Sequence, residues 1–287
     1  MQKLLKSNVT YISLITLLIM VGLAVWQGFT SYKEEFDITQ RINGEFADSV
    51  ALISPSQYWI GLSDAFFSSF YYFIFPLLVS LPVVDTIYQE RETGNLLYQL
   101  SRRSRKDYYT KKFIFTFFIS FLLFLLPLLI GIALMNFLSG TWDYSGFSAA
   151  YDKLVRGTAV VGDSTALSRK KELFSDLLRV SPYLYILVYY IIGAFYAGAY
   201  ATFGLAASLW LKNRYLILFM PLVLYLGGWF IFSTLHLLNW DPFDFLDPRQ
   251  AVGRLFYAPF IIDFVILMLL TVALYVMGVK RNRDILS

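Results

Sequence analysis

The 287-residue chain contains no cysteine and a single histidine. The first absence excludes disulfide frameworks, Cys-ligated zinc, iron–sulfur clusters and thiol catalysis. The second excludes multi-histidine metal centres and argues against an active site built on histidine. Charge is scarce as well: Asp, Glu, Lys and Arg make up 15% of the residues, against roughly 25% in a typical soluble domain. There is no Gly-x-x-x-x-Gly-Lys-Ser/Thr loop to cradle a nucleotide phosphate. What fills the chain instead is apolar. Hydrophobic residues reach 57%, mean hydropathy is +0.58, and these residues cluster in long runs. The composition is that of an integral membrane protein. The net charge of +4 therefore gives no pointer to nucleic acid, and basic residues are read as orientation signals.

A bilayer core about 30 Å thick needs about 20 mostly apolar residues as helix. Six windows meet this length: Val9–Phe29, Ala65–Tyr88, Phe113–Leu138, Tyr183–Leu211, Tyr215–Leu237 and Phe260–Val279. Helix is the only reading, because lipid offers no partners to open backbone groups and the alternation of barrel strands is missing. The first window follows Lys3 and Lys6, which resemble a signal-peptide n-region, but it is long and lacks a small-x-small cleavage site. It reads as a retained anchor.

With the N-terminus in the cytosol, fourteen of the 24 lysines and arginines lie inside, in short dense segments, seven of them in Arg91–Lys112. The other ten are spread over longer outer loops richer in acids. The positive-inside rule then places both termini in the cytosol. The expectation is one all-α transmembrane domain over residues 1–287, with six spans and an extracellular loop at 139–182. Within that loop, Ser168–Arg179 has Leu173, Phe174, Leu177 and Leu178 at helical spacing. This suits a short helix on the outer membrane surface or one packed on the bundle. The segment Leu238–Pro259, rich in aromatics and prolines, is expected to dip into the interface or cap the bundle.

The most informative stretch is the inner loop between spans 2 and 3. Span 2 ends in the charged run Gln89–Glu92. Gly94 can take the left-handed conformation that closes a helix, and Asn95 can cap a new one. Leu96, Leu97 and Leu100 then share a face, and Ser104-x-x-Asp107 resembles a capping box that starts span 3. The result is a short helix outside the bilayer, held between two spans, offering leucines to a cytosolic partner and too short to be stable alone. A plain basic loop is the competing reading, but orientation alone needs no glutamates.

The run Glu90-Arg91-Glu92-Thr93-Gly94-Asn95-Leu96, followed by Ser101, Ser104, Arg105 and Lys111 or Lys112, resembles the first cytosolic loop of ABC-2 type permeases, the membrane subunits of ABC exporters. Asn95 and Arg102 stand where that family often has Thr and Pro. The turn Gly204–Arg214 is similar to the family's tight inner turn. The resemblance implies six helices with both termini inside. It makes Glu90, Arg91, Glu92, Gly94, Leu96, Leu97, Leu100, Ser104 and Arg105 a coupling helix seated on a separate cytosolic ATPase. ATP and Mg would bind that partner, with no cofactor, metal or catalytic residue on this chain, and a second permease subunit, identical or homologous, would complete the transporter. The implied site of action is a plasma membrane, in keeping with a bacterial cell.

Other features admit two readings each. Small residues at Gly193, Ala197 and Ala201, with Ala194, Gly198 and Gly204 beside them, mark a close helix–helix contact within the subunit or across a dimer. Pro76, Pro82, Pro127 and Pro221 can be hinges or static kinks. Phe66, Phe67, Phe70 and Tyr71 can line a path for an amphipathic substrate or simply face lipid. Asp64, Asp85 and Asp263 sit near span ends and can reach the interface. The lone His236 reads as structural, and the trio Asp241, Asp244 and Asp247 is too proline-broken for a calcium loop. The sequence thus points to the permease of an exporter for an amphipathic peptide, drug or lipid-like molecule. A ligand-binding scaffold or sensor using the outer loop and, behind it, a polytopic membrane enzyme are the alternatives.

Overall fold

The computed structural model describes residues 8–43, 46–102, 104–159, 173–250 and 255–281, and within them every regular element is helical. In chain order the α-helices are α1 (Asn8–Asn43), α2 (Ala47–Leu52), α3 (Phe66–Ser80), α4 (Thr86–Glu92), α5 (Asn95–Arg102), α6 (Arg105–Ser139), α7 (Ser145–Val155), α8 (Pro182–Ala207), α9 (Arg214–Thr234), α10 (Pro242–Phe245) and α11 (Tyr257–Arg281). Five of them, α1, α6, α8, α9 and α11, are long and apolar enough to cross a membrane. The second window departs from the sequence reading: it forms α3, of 15 residues, a turn at Leu81–Asp85, and the separate helix α4. At 1.5 Å per residue α3 alone spans about 22 Å, short of a bilayer core.

The cause of the break is Pro82, which has no N–H to continue the ladder. Its missing donor frees the carbonyl of Leu78, four residues back, and the Ser13 hydroxyl of α1 donates to that oxygen. Pro76 likewise frees the carbonyl of Tyr72, which accepts from the Tyr225 hydroxyl of α9 at 3.2 Å. At Val83 the backbone N–H turns to Ser80, and the Val79 carbonyl accepts from Ser120 of α6 at 3.0 Å. Three carbonyls of one kinked helix are thus satisfied by side chains of three others, as burial away from water requires.

The centre of the bundle is α8, two thirds of whose most apolar window is buried. It packs on α6, α11, α9 and α3. Its small residues explain the closeness: a Cβ at Gly193 would stand 2.7 Å from the Phe124 ring, one at Gly198 2.8 Å from Phe117, and one at Gly204 2.7 Å from Pro221. The small-residue face is therefore an intramolecular contact. Buried tyrosines complete the core. Tyr71, Tyr190 and Tyr275 donate to the carbonyls of Phe124 (2.9 Å), Ile60 (2.7 Å) and Tyr109 (2.9 Å), each giving an apolar body to the packing and one bond across it. By contrast α9 and α11 are mostly unburied and present rings and aliphatics such as Phe230, Ile266 and Leu269 outward, as lipid-facing helices do.

The outer segments are ordered where they are described. Helix α1 runs 36 residues, well beyond the window ending at Phe29, and the chain then returns through a 3-10 turn, Pro55–Tyr58, to bury Trp59 and Ile60. The expected helix at Ser168–Arg179 falls partly outside the described residues. Its remainder is a 3-10 turn, Ser175–Arg179, with Leu173 and Leu178 buried in the bundle core, so this end packs on protein. The segment after α9 caps the bundle, burying Phe245, Leu246 and Leu255.

Candidate functional site

At one end of the bundle α4, α5 and the start of α6 form a bracket. Gly94 takes φ +68° with nothing near its missing Cβ, the left-handed turn that reverses the chain between α4 and α5. Asn95 opens α5 as its first residue rather than preceding it as a cap. Ser104 has extended φ/ψ and accepts from the Asp107 amide at 3.2 Å, the N-cap expected from the sequence. Asp107 itself pairs with Lys111 at 2.8 Å.

The three leucines of α5 do not act together. Leu96 is 4% exposed, and Leu100 packs beside it against Ile87, Tyr108, Tyr109, Leu205 and Tyr275. Leu97 is 56% exposed and Tyr98 52%. The inner pair fastens α5 to its own bundle, and Leu97 and Tyr98 form the outward face, with the Arg102 guanidinium 4.2 Å above the Tyr98 ring. This is a correction to the shared leucine face: two of its members are spent inward because the ends of α6, α8 and α11 leave an apolar floor there.

The charges divide similarly. Glu90 accepts from Lys112 at 2.8 Å and from the Tyr108 hydroxyl. Lys112 is 8% exposed, so this pair is a largely desolvated brace between α4 and α6. Arg105 donates to the Val279 carbonyl at 3.3 Å and lies over Tyr109, tying α6 to the end of α11. Arg91, 5.5 Å over Tyr88, and Glu92 remain toward solvent. A second brace corrects the reading of Asp85 as a carboxylate reaching the interface: it is buried, and its pairing had no sequence signal. Asp85, at the α3–α4 break, is held by Arg214 at 2.7 Å and Gln89 at 2.8 Å. Its partner lies 129 residues away at the first residue of α9, where Asn213 caps that helix.

At the opposite end lies a cleft of about 720 Å³ between α1, the Pro55–Tyr58 turn, the start of α3 and α7. Phe147, Leu154 and Leu178 give it an apolar wall, and Gln27, Ser31, Glu35 and Asp64 a polar one. The Tyr58 hydroxyl donates to Glu35; burial, together with that carboxylate, pushes the Tyr58 phenol up, so its proton stays in place. Arg249 closes the cleft. It forms a bidentate pair with Asp247 (Nε to Oδ1 2.9 Å, Nη2 to Oδ2 2.6 Å) and bonds Ser69 at 2.9 Å and Asp64 at 3.4 Å. Next to it Gln250, at φ +52°, bonds Leu173, Tyr185 and Tyr189.

Of the aromatic run, Phe66, Phe67 and Phe70 cluster at the head of α3, with Phe66 and Phe70 stacked at 5.5 Å and Phe66 62% exposed. Tyr71 is separate, fully buried on Phe124. Asp241 is fully buried; one oxygen caps the α10 turn and the other has no partner among the described residues. Asp263 is half-buried, and His236 is exposed at φ +56°. Among the described residues no group of three His, Asp or Glu is placed to hold a metal. The molecule is a multi-pass, all-helical membrane protein. Compared with known proteins, the chain matches no family model, no curated protein and no solved structure.

Proposed function

We propose that the chain is the permease subunit of an ATP-driven exporter of ABC-2 type. The observation that carries this reading is the α4–α5–α6 bracket. A short helix is fastened to the bundle by Leu96, Leu100 and the Glu90–Lys112 brace, and it turns Leu97, Tyr98 and Arg102 outward. A lever must be stiff toward its own load and exposed toward its driver, and the bracket has both properties. The motif resemblance supports the same role. On this reading α3, the Pro82 turn and α4 together make the second of six crossings, and both termini and α5 face the cytosol. A separate ATPase with bound ATP and Mg drives α5. A second permease subunit completes the transporter in a bacterial plasma membrane, and the cargo is an amphipathic drug, peptide or lipid-like molecule.

The absence of cysteine gives a clean test. A Leu97→Cys chain carries one thiol, which a membrane-impermeant maleimide labels in inside-out vesicles and not in intact cells. Labelling from the outside refutes the topology and the coupling role together. With topology settled, Leu97→Glu with Tyr98→Asp should abolish co-purification of a cytosolic ATPase, and unchanged co-purification refutes the docking face. The cleft at the other end favours a second reading, a ligand sensor without transport. Wild-type protein that binds ligand but never stimulates ATP hydrolysis by any copurifying subunit would decide for it.

A further inference from the structure

We propose that the cleft between α1, the Pro55–Tyr58 turn and α7 is a binding site for a small cationic amphipathic molecule, with its positively charged nitrogen toward Glu35 and Asp64 and its apolar body against Phe147, Leu154 and Leu178. A cleft of about 720 Å³ falls within the roughly 300–1,000 Å³ of small-molecule sites. Its walls divide into an apolar side and a polar side, which is the division an amphipath reads. The sign of charge follows from the pairing. Among the described residues Arg249 is the cation on the cleft wall, and both oxygens of Asp247 already hold it. That pair is neutral and places no free positive charge in the cleft. Glu35 and Asp64 remain. Glu35 receives a hydroxyl from Tyr58 but, among the described residues, no cation. Asp64 is 98% exposed, and its 3.4 Å contact with Arg249 is weak and shared. Among the described residues the cleft is therefore net negative, its carboxylates are open to solvent, and a cationic nitrogen would find two acceptors without breaking the Arg249–Asp247 pair.

Binding at equilibrium needs neither nucleotide nor partner, so the inference stands apart from the exporter reading. The test uses the full chain in lipid nanodiscs and the dye rhodamine 6G, a cationic amphipath, read by fluorescence anisotropy with empty nanodiscs as the blank. Saturable binding is expected, with roughly ten-fold weaker affinity for Glu35→Gln combined with Asp64→Asn. Ser31→Trp, which places a ring in the cleft from an exposed position, should abolish binding while the melting temperature holds. Asp37→Asn, an exposed acid on α1 outside the cleft, should bind as wild type. The proposal is overturned by the absence of saturable binding, by equal affinity in the double variant, by an equal loss in Asp37→Asn, or by equal binding of the anionic dye sulforhodamine B.

Discussion

Replacing Tyr225 by Phe should destabilise the protein by an amount that depends on whether residue 76 is proline. Pro76 supplies no N–H, so the Tyr72 carbonyl has no donor within α3, and Tyr225 of α9 supplies one at 3.2 Å. Both residues are buried, Tyr225 fully and Tyr72 to 5% exposure, so water cannot replace the lost hydroxyl. Bonds between helices in membranes are worth about 0.6 kcal/mol on average and up to about 1.7, and leaving a buried acceptor unmet costs about 1–3 kcal/mol. A loss of about 1–2 kcal/mol is therefore expected for Tyr225→Phe. In a Pro76→Ala background the residue 76 amide can bond the Tyr72 carbonyl directly, and the same substitution should then cost under about 0.5 kcal/mol. Reversible unfolding in mixed micelles, followed by tryptophan fluorescence on all four chains, measures the coupling. An equal cost in both backgrounds would refute the assignment of Tyr225 as the replacement donor.

At the Asp85–Arg214 pair the two single substitutions should differ. Arg214→Gln removes the counter-charge of a carboxylate with 4% side-chain exposure, which keeps only its bond from Gln89, and should cost about 3 kcal/mol, whereas Asp85→Asn leaves a half-exposed guanidinium that water can solvate and should cost about 1. The double variant should recover much of the larger loss in the same unfolding assay, and equal single costs would be wrong for this geometry. Gly193→Ala pushes a Cβ to 2.7 Å from the fully buried Phe124 ring and should cost about 1–3 kcal/mol, partly restored by Phe124→Leu in a thermal melt. Burial, with the nearby Asp244 and Asp263 charges adding to it, pushes the Asp241 carboxyl up to about 7. A raised carboxyl pKa means the folded state holds the proton more tightly than the unfolded one. Its contribution is therefore present below the ordinary value near 4 and lost as pH climbs through about 7. Asp241→Asn keeps the cap on Phe243 and should melt higher than wild type at pH 8, with the advantage gone by about pH 4; a gap independent of pH would contradict this.

Much of the architecture was legible because membrane helices are announced by continuous apolar runs: the windows at Phe113–Leu138 and Phe260–Val279 lie inside α6 and α11, and the one at Tyr215–Leu237 overruns the end of α9 at Thr234 by three residues. Gly94 and Ser104 were also readable, since a left-handed turn and a cap are decided within a few residues. What could not be read was set by distant partners. Leu96 and Leu97 are adjacent and chemically identical, and only the apolar floor of Tyr108, Leu205 and Tyr275 decides which points inward. Asp85 finds Arg214 across 129 residues with no periodicity to announce it. The hydropathy of Ala65–Tyr88 concealed a break that Pro82 signalled, because a window average does not see a missing donor. The same blindness hid the tyrosines: a composition reading places them at interfaces, whereas Tyr71, Tyr190 and Tyr225 sit in the core, each donating to a backbone carbonyl of another element. The polar tail of α1 beyond Phe29 reads as a loop by hydropathy, yet nothing in it breaks a helix before Asn43.

The broken helix also joins the two ends of the molecule. Asp64 and Ala65, at the head of α3, line the cleft, and Asp85, after its far end, fixes α4 to α9. Between them three carbonyls, of Tyr72, Leu78 and Val79, are held by side chains of α9, α1 and α6 instead of by α3 itself. A backbone ladder resists bending because each bond is fixed by the turn it closes, whereas a hydroxyl on a rotatable side chain can follow a carbonyl or release it for less. On the proposed coupling role, force applied at α5 would reach α4 across Gly94 and α6 through Ser104, with the Glu90–Lys112 brace holding those two together. The compliant step on the way to the cleft is then the Pro76–Pro82 stretch. A helix that bends there can change the opening between Asp64 and α1 while the α6–α8 contact, locked by Phe124 against Gly193 and Phe117 against Gly198, stays packed.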